Sequence, residues 1–170
     1  NLIDNSRDVL DRSKSNLHSI FNRLVEKGKI NEVESANILL KINFSIEMED
    51  IAESELVIEA VIENMEVKQK IFSQIETVVS NVCIIATNTS SLSVTEIASV
   101  CNNKARILGI HFFNPAPLMK LVEIIPTERT DSDLLDDVRK KVNLISLNDP
   151  KLKSEKGLQL KNLLYLFERD

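Results

Sequence analysis

Apolar residues recur at helical spacing in the first part of the chain. Separations of seven, four and three positions, with charged residues between, relate Leu10, Leu17, Phe21 and Leu24. This spacing predicts an amphipathic helix over about residues 7–27, and Gly28 is the type of residue that ends one. A shorter helix is predicted after Asn31, because Glu34 three residues later completes a capping-box pattern.

Short apolar runs rich in β-branched residues begin further along the chain. Runs of this kind predict strands that are covered on both faces of a sheet. Segments with helical spacing lie between them, and the alternation predicts an α/β domain with a mainly parallel sheet. Ligands bind such sheets at the carboxyl ends of the strands. Residues 42–46 alternate between apolar and polar and are a further predicted strand. The other predicted strands are residues 56–62, 83–87, 106–111 and 121–125, and the predicted helices are residues 67–79, 93 onward, 131–142 and 158–167.

Composition and charge narrow the class of protein. The 170 residues suffice for one domain, and 43% hydrophobic with 28% charged residues is typical of globular proteins. No apolar run reaches the roughly 18 residues of a membrane span, so we expect no membrane partner. A net charge of −5 with one Tyr and no Trp argues against nucleic acid. Cys83 and Cys101 form no CxxC pair, so we expect no metal and a reducing, intracellular compartment.

Polar residues stand where three of the predicted strands end. Glu63 follows the first of these strands, residues 88–91 (NTSS) follow the second, and His111 closes the third. Because the carboxyl ends of parallel strands meet at one edge of the sheet, we expect these groups to share a crevice. For Ser90 alone, a capping role at the next helix is an open alternative.

His111 and Glu123 form a candidate acid–base pair. Histidine often acts as a general base because the imidazole titrates near neutral pH. Glu123 interrupts an apolar strand, and a chain reversal at residues 114–117 would bring that strand beside His111. The alternative is a core histidine with satisfied hydrogen bonds and an edge-strand glutamate that faces water.

Three further charged residues are candidates, each with a commoner alternative. Asp4 follows a short apolar segment, and a carboxylate after the second strand of a dinucleotide fold binds ribose hydroxyls. An acidic residue near a helix N-terminus is the commoner explanation. Lys27 can meet a phosphate or simply lie in solvent at a helix end. Lys68 opens a helix five residues after Glu63, where a solvated side chain is the alternative.

Three long segments resemble a known family. They are ELVIEAVIENMEVKQKIF, IIATNTSSLSVTEIA and ILGIHFFNPAPLMKLVEIIPTERT, which resemble the NAD-binding domain of the 3-hydroxyacyl-CoA dehydrogenases. The resemblance covers about residues 1–130 and implies a Rossmann-like, doubly wound fold with NAD as cofactor. The implied reaction is oxidation of 3-hydroxyacyl-CoA to 3-oxoacyl-CoA in fatty-acid β-oxidation or butanoate metabolism. The implied setting is the bacterial cytoplasm, the mitochondrial matrix or the peroxisome.

The resemblance also assigns roles to individual residues. It implies that His111 is the catalytic base or acid, that Glu123 orients it, and that Ser90 contacts both the substrate hydroxyl and the nicotinamide. Lys27 matches a lysine that meets the acyl-CoA substrate. The implied cofactor contacts are Asp4, Glu63, Lys68, Ser90 and Asn114. Full-length members of the family are expected to form homodimers through a C-terminal helical domain.

The chain departs from the family pattern in two places. It contains no GxGxxG turn, whose backbone N–H groups bind the cofactor pyrophosphate, and it lacks the strand before that turn. We therefore expect two unpaired sheet edges. The expected organisation is a partial Rossmann-like domain over residues 1–145 and a degenerate, linker-like tail over 146–170 in place of the helical domain. Such a fragment is expected to be inactive alone, and the alternative function is a non-catalytic remnant with a structural or acyl-CoA-binding role.

We predict that the 170-residue chain alone binds NAD weakly, because it contains no glycine-rich turn to bind the pyrophosphate. Titration calorimetry with NAD measures this affinity. A 3-hydroxyacyl-CoA dehydrogenase that contains the GxGxxG turn serves as the control under the same conditions. Tight, saturable binding to the chain would contradict the prediction.

Overall fold

A computed structural model describes residues 1–116, 119, 121–147 and 163–165, the backbone alone for 143–147 and 163–165. The chain forms two compact units, Asn1–Glu53 and Ser54–Asp170. Within the described residues, no helix has both the length and the apolar character needed to cross a membrane.

The first unit contains the two predicted helices and a short parallel strand pair. Ser6 caps the first helix by accepting a hydrogen bond from the Val9 amide. Gly28 follows that helix at φ +62°, a left-handed conformation that glycine adopts without strain. Asn31 and Glu34 form the predicted capping box. The elements are β1 (Leu2–Ile3), α1 (Arg7–Glu26), α2 (Glu32–Leu39) and β2 (Phe44–Ser45), in which β1 pairs with β2.

The second unit is a sheet whose strands alternate with helices. Among the described residues its strand order follows the chain, from β3 to β7. The first three strands are parallel, β6 runs antiparallel to β5, and β7 runs parallel to β6. The predicted α/β fold with a mainly parallel sheet is confirmed. The elements are β3 (Leu56–Glu59), α3 (Met65–Val78), β4 (Ile84–Thr87), α4 (Val94–Ala98), β5 (Ile107–Phe112), β6 (Val122–Pro126), α5 (Ser132–Leu147) and β7 (Leu163–Tyr165).

The core of the second unit lies between the middle strands and α5. Its buried apolar side chains include Ile84, Ala86, Leu108, Ile110, Val122, Ile124, Val138 and Val142. Burial of one such Ile, Leu or Val side chain contributes roughly 1.5–3 kcal/mol. Every residue of β4 is buried, as predicted for a strand covered on both faces. This core holds β4, β5 and β6 in a fixed register.

β3 is less buried than its sequence predicts. Only Glu59, its last residue, is buried, and the strand ends there rather than at Ile62. The reason is its position: among the described residues, β3 pairs with β4 alone, and β1 pairs with β2 alone. The open side of β3 is an unpaired edge of the kind that the sequence predicts.

The predicted helix over 158–167 is wrong where the structure describes it. Leu163–Tyr165 form β7, in which Leu163 pairs with Val122 of β6. The edge of β6 offers unpaired backbone N–H and C=O groups, and pairing with them outweighs a local helical pattern. The rest of that predicted helix lies outside the described residues.

Gly109 of β5 lies close to side chains of β6 and α4. A Cβ atom there would lie 3.0 Å from Cβ of Ile125 and 3.2 Å from Cγ2 of Val94. We predict that Gly109→Val lowers the free energy of unfolding by roughly 1–3 kcal/mol, because the added methyl groups force these neighbours apart. Urea denaturation measures the change. Ala105→Val, at an exposed position, is the control and should change stability by less than about 0.5 kcal/mol; equal losses would contradict the prediction.

Candidate functional site

The polar groups that follow β3 and β4 come together. Thr87, the last residue of β4, pairs with Glu59, the last residue of β3, and with Gly109 of β5, so the ends of β3 and β4 lie side by side and β5 continues three residues beyond them. Glu63 bonds to the 89–91 loop. Hydrogen bonds therefore link the polar segments after β3 and β4, and the Phe112 amide of β5 donates to Asn88 of the second segment. A crevice shared with His111 stays a prediction.

Glu63 anchors the loop that carries Ser90. Its Oε1 atom accepts hydrogen bonds from the Thr89 hydroxyl at 2.5 Å, the Ser90 amide at 3.1 Å and the Ser91 amide at 3.3 Å. The Ser91 hydroxyl donates to the same oxygen at 3.1 Å. The Ser90 side chain itself is exposed, and no hydrogen bond ties its hydroxyl to another described residue. The loop thus presents that hydroxyl to solvent.

The surroundings of Glu63 favour its charged form. Partial burial by itself raises the pKa of this carboxyl. Hydrogen bonds from the Thr89 hydroxyl, the Ser90 amide and the Lys68 ammonium outweigh burial and lower the pKa from 4.5 to about 2. Glu63 is therefore a carboxylate, and not a carboxylic acid, at neutral pH.

His111 and Glu123 form the predicted pair. The antiparallel register of β5 and β6 places these residues directly opposite each other. Nδ1 of His111 lies 2.9 Å from Oε2 of Glu123, and the two side chains are 15% and 10% exposed. The alternative of a glutamate that faces water is therefore wrong. The Phe113 ring packs against the imidazole with centroids 4.7 Å apart.

This contact determines which imidazole nitrogen can act on a ligand. A carboxylate only accepts hydrogen bonds, so Glu123 favours the tautomer with the proton on Nδ1. Nε2 of His111 is then the nitrogen with a free lone pair. The arrangement can take up a proton at Nε2 while the carboxylate stabilises the positive charge on the ring.

Lys68 lies in the interior, and the alternative of a solvated side chain is wrong. The residue is 1% exposed, and its ammonium contacts Glu59 at 2.8 Å and Glu63 at 3.3 Å. Its predicted contact with a cofactor stays a prediction.

The remaining predicted residues occupy separate places. Asp4 directly follows β1, and its Oδ1 accepts a hydrogen bond from the Ser6 amide at 2.9 Å. Lys27 is exposed at the end of α1. Both belong to the first unit, and Asn114 is exposed just after β5. Their proposed contacts stay predictions.

Sequence reasoning placed Asn88 in the polar segment but missed its bond to β5, and it missed Glu59 altogether. Asn88 accepts a hydrogen bond from the Phe112 amide at 2.9 Å, which braces the strand end next to His111. Glu59 is fully buried at the end of β3 and binds Lys68. A signal for Glu59 was present, since it is the one charged residue in the run LVIEAVI, and a buried charge needs a partner.

Metal ligation has no candidate in this part of the chain. Among the described residues, no group of three His, Cys, Asp or Glu side chains is placed to hold a metal ion. Both cysteines are free and buried.

Comparison with known proteins gives one consistent family. The family described as "3-hydroxyacyl-CoA dehydrogenase, NAD binding domain" matches residues 1–146. A "Probable 3-hydroxybutyryl-CoA dehydrogenase" of Deinococcus radiodurans is 36% identical over 130 residues, which cover 76% of this chain and 46% of that protein. The mitochondrial hydroxyacyl-coenzyme A dehydrogenase of Sus scrofa is 35% identical over 144 residues, or 81% and 46% of the two chains.

A solved structure agrees with the sequence relatives. The crystal structure of 3-hydroxybutyryl-CoA dehydrogenase from Escherichia coli K12 matches with a TM-score of 0.81 at 34% identity. The match covers 85% of this chain and 30% of the crystallised one. The chain spans about half the length of the curated relatives it matches.

We predict that the free energy of unfolding falls as the pH is lowered from 4.5 toward 2, the range between the ordinary pKa of a glutamate and that of Glu63. The folded state lowers this pKa, so Glu63 contributes stability above that range and loses it as the carboxylate takes up a proton. Urea denaturation across these pH values measures the change. Glu63→Gln should flatten the dependence, whereas Glu66→Gln, an exposed control on α3, should not. The same dependence in Glu63→Gln as in the unaltered chain would contradict the prediction.

Proposed function

This chain belongs to the 3-hydroxyacyl-CoA dehydrogenase family, to its NAD-binding domain, and from that premise we propose that its protein oxidises 3-hydroxyacyl-CoA to 3-oxoacyl-CoA. The observation that carries the proposal is the 2.9 Å contact between Nδ1 of His111 and Oε2 of Glu123. His111 lies on β5, which pairs with β4, and the loop after β4 presents the Ser90 hydroxyl. A base, an orienting carboxylate and a hydroxyl are the groups that alcohol oxidation requires.

The residues that follow β3, β4 and β5 fit the nicotinamide half of NAD. Glu63 has a charged side chain that is 38% exposed, able to accept hydrogen bonds from ribose hydroxyls. Ile62, 70% exposed, offers an apolar surface for a flat ring. Ser90 and Asn114, both exposed, complete this set, and Asp4 is proposed for the adenosine ribose. NAD bound there would supply the acceptor for the hydride from C3 of the substrate.

His111 carries out the proton transfer in this proposal. Its Nε2 takes the proton from the C3 hydroxyl as the hydride leaves, so the C–H bond and the O–H bond break and a ketone forms. Glu123 stabilises the imidazolium through Nδ1, and the Ser90 hydroxyl donates a hydrogen bond to the reacting oxygen. General-base assistance of this kind contributes roughly 10²–10⁴ in rate.

Substrate, partner and compartment belong to the same proposal. Lys27, an exposed lysine of the first unit, is proposed to meet the phosphate groups of the acyl-CoA. The named relatives include bacterial and mitochondrial enzymes, which supports a reducing compartment inside the cell. Homodimers through a helical domain, as expected of full-length family members, complete the proposal.

We predict that His111→Gln lowers kcat by about 10²–10⁴, because the amide cannot accept the hydroxyl proton. NAD affinity should change by less than about twofold, since the imidazole acts on the substrate oxygen. The assay follows NADH formation from 3-hydroxybutyryl-CoA and NAD, using the protein that carries this chain in its natural reading frame. NAD binding is measured separately by fluorescence.

His18→Gln is the matched control, because His18 is the other histidine of the chain and lies exposed on α1. It should leave turnover unchanged. Unchanged turnover in His111→Gln would overturn the assignment of the base. Absence of NADH formation by the unaltered protein, with acyl-CoA binding retained, would instead support the non-catalytic alternative.

A further inference from the structure

A buried ion pair lies directly beneath the candidate site. The Lys68 ammonium and the Glu59 carboxylate are 2.8 Å apart, and their side chains are 1% and 0% exposed. Lys68 belongs to the first turn of α3, and Glu59 is the last residue of β3. The pair therefore joins a strand end to the start of the next helix, in a place where an unpaired charge would be costly.

Each member of the pair has a complete set of partners. Besides Glu59, the Lys68 ammonium donates to the Val61 carbonyl at 3.3 Å and contacts Glu63 Oε2 at 3.3 Å. The Glu59 carboxylate also accepts hydrogen bonds from the Val61 amide at 2.6 Å and the Thr87 hydroxyl at 2.7 Å. An ammonium has three N–H donors, so Lys68 has none left over.

These contacts form a closed ring of hydrogen bonds and ion pairs, and the ring includes Glu63 and Thr89 of the candidate site. One branch runs from Glu59 through Lys68 to Oε2 of Glu63. The other runs from Glu59 through Thr87 to the Thr89 amide, at 3.2 Å, and the Thr89 hydroxyl returns to Oε1 of Glu63. Oε2 of Glu63 thus contacts the buried ion pair, and Oε1 of Glu63 accepts hydrogen bonds from the loop.

Stability alone does not account for a pair in this place. Replacing a buried ion pair with apolar residues of similar volume is often neutral or stabilising, because both charges have lost their hydration. What the ion pair supplies here is a fixed direction for Glu63, whose carboxylate is the shared acceptor of the 89–91 loop.

We propose that Glu59 is a positioning residue that acts through Lys68 and Glu63 to fix the loop presenting Ser90. The proposal rests on the proposed function for what Ser90 does to a substrate and a cofactor. The Glu59 side chain is 0% exposed, so Glu59 acts on a ligand only through its partners. The cofactor contact predicted for Lys68 itself is independent of this proposal.

The double variant Glu59→Gln with Lys68→Met tests the proposal. It removes both charges at nearly constant volume, so it avoids the unpaired buried charge that Glu59→Gln alone would leave. We expect the free energy of unfolding to stay close to that of the unaltered chain. Hydrogen exchange of the Ser90 and Ser91 amides, followed by NMR, should nevertheless become roughly 10-fold faster or more, because Glu63 has lost its buried anchor.

Activity provides a second measurement. In the protein that carries this chain, the double variant should raise the KM for NAD roughly 10-fold or more, because Glu63 is no longer held in place and the predicted contact of Lys68 is also lost. Glu76→Gln is the control, since Glu76 pairs with Arg106 and binds the Asn102 and Asn103 amides away from the loop. It should lower stability and leave both the loop amides and the KM unchanged.

The two measurements separate this proposal from the proposed function. Unchanged exchange at Ser90 and Ser91 in the double variant would overturn the positioning role, whatever the enzyme does. Faster exchange supports the positioning role even if the unaltered protein forms no NADH, a result that would overturn the proposed function alone.

Discussion

The antiparallel pairing of β5 with β6 is the constraint on which the candidate site depends. In that register His111 faces Glu123, and the two side chains meet on the same face of the sheet. Side chains alternate between faces along a strand, so a slip of one residue would move the carboxylate away from the imidazole. The close approach at Gly109 and the buried core beneath both strands specify this register.

The ends of the parallel strands impose a second requirement. Backbone amides and hydroxyls that are buried at these strand ends need hydrogen-bond acceptors, and a carboxylate can accept several hydrogen bonds. Glu59 accepts hydrogen bonds from Lys68 and from the Thr87 hydroxyl, and Glu63 accepts hydrogen bonds from the loop after β4. The site is therefore held by hydrogen bonds beneath it, which leaves the hydroxyl of Ser90 available for a ligand.

Local patterns predict most of the elements but not their lengths or their exposure. The helical spacing of α1, its end at Gly28 and the capping box at Asn31 all appear in the structure, because each depends on neighbours within a few residues. β3 is shorter and more exposed than its apolar run indicates, and Leu163–Tyr165 form a strand and not a helix. Both differences depend on which strands are available to pair.

The sequence by itself determined the α/β alternation, the family, and the candidate groups at the strand ends, since these follow from periodicity and from motifs written in consecutive residues. Only the tertiary structure decided which charges are buried and which partners they have. Lys68 resembles a solvated helix-start lysine in sequence, yet it lies in the interior because Glu59 and Glu63 approach it from other elements. Burial and hydrogen bonding are properties of contacts between distant segments, and a local pattern carries no record of them.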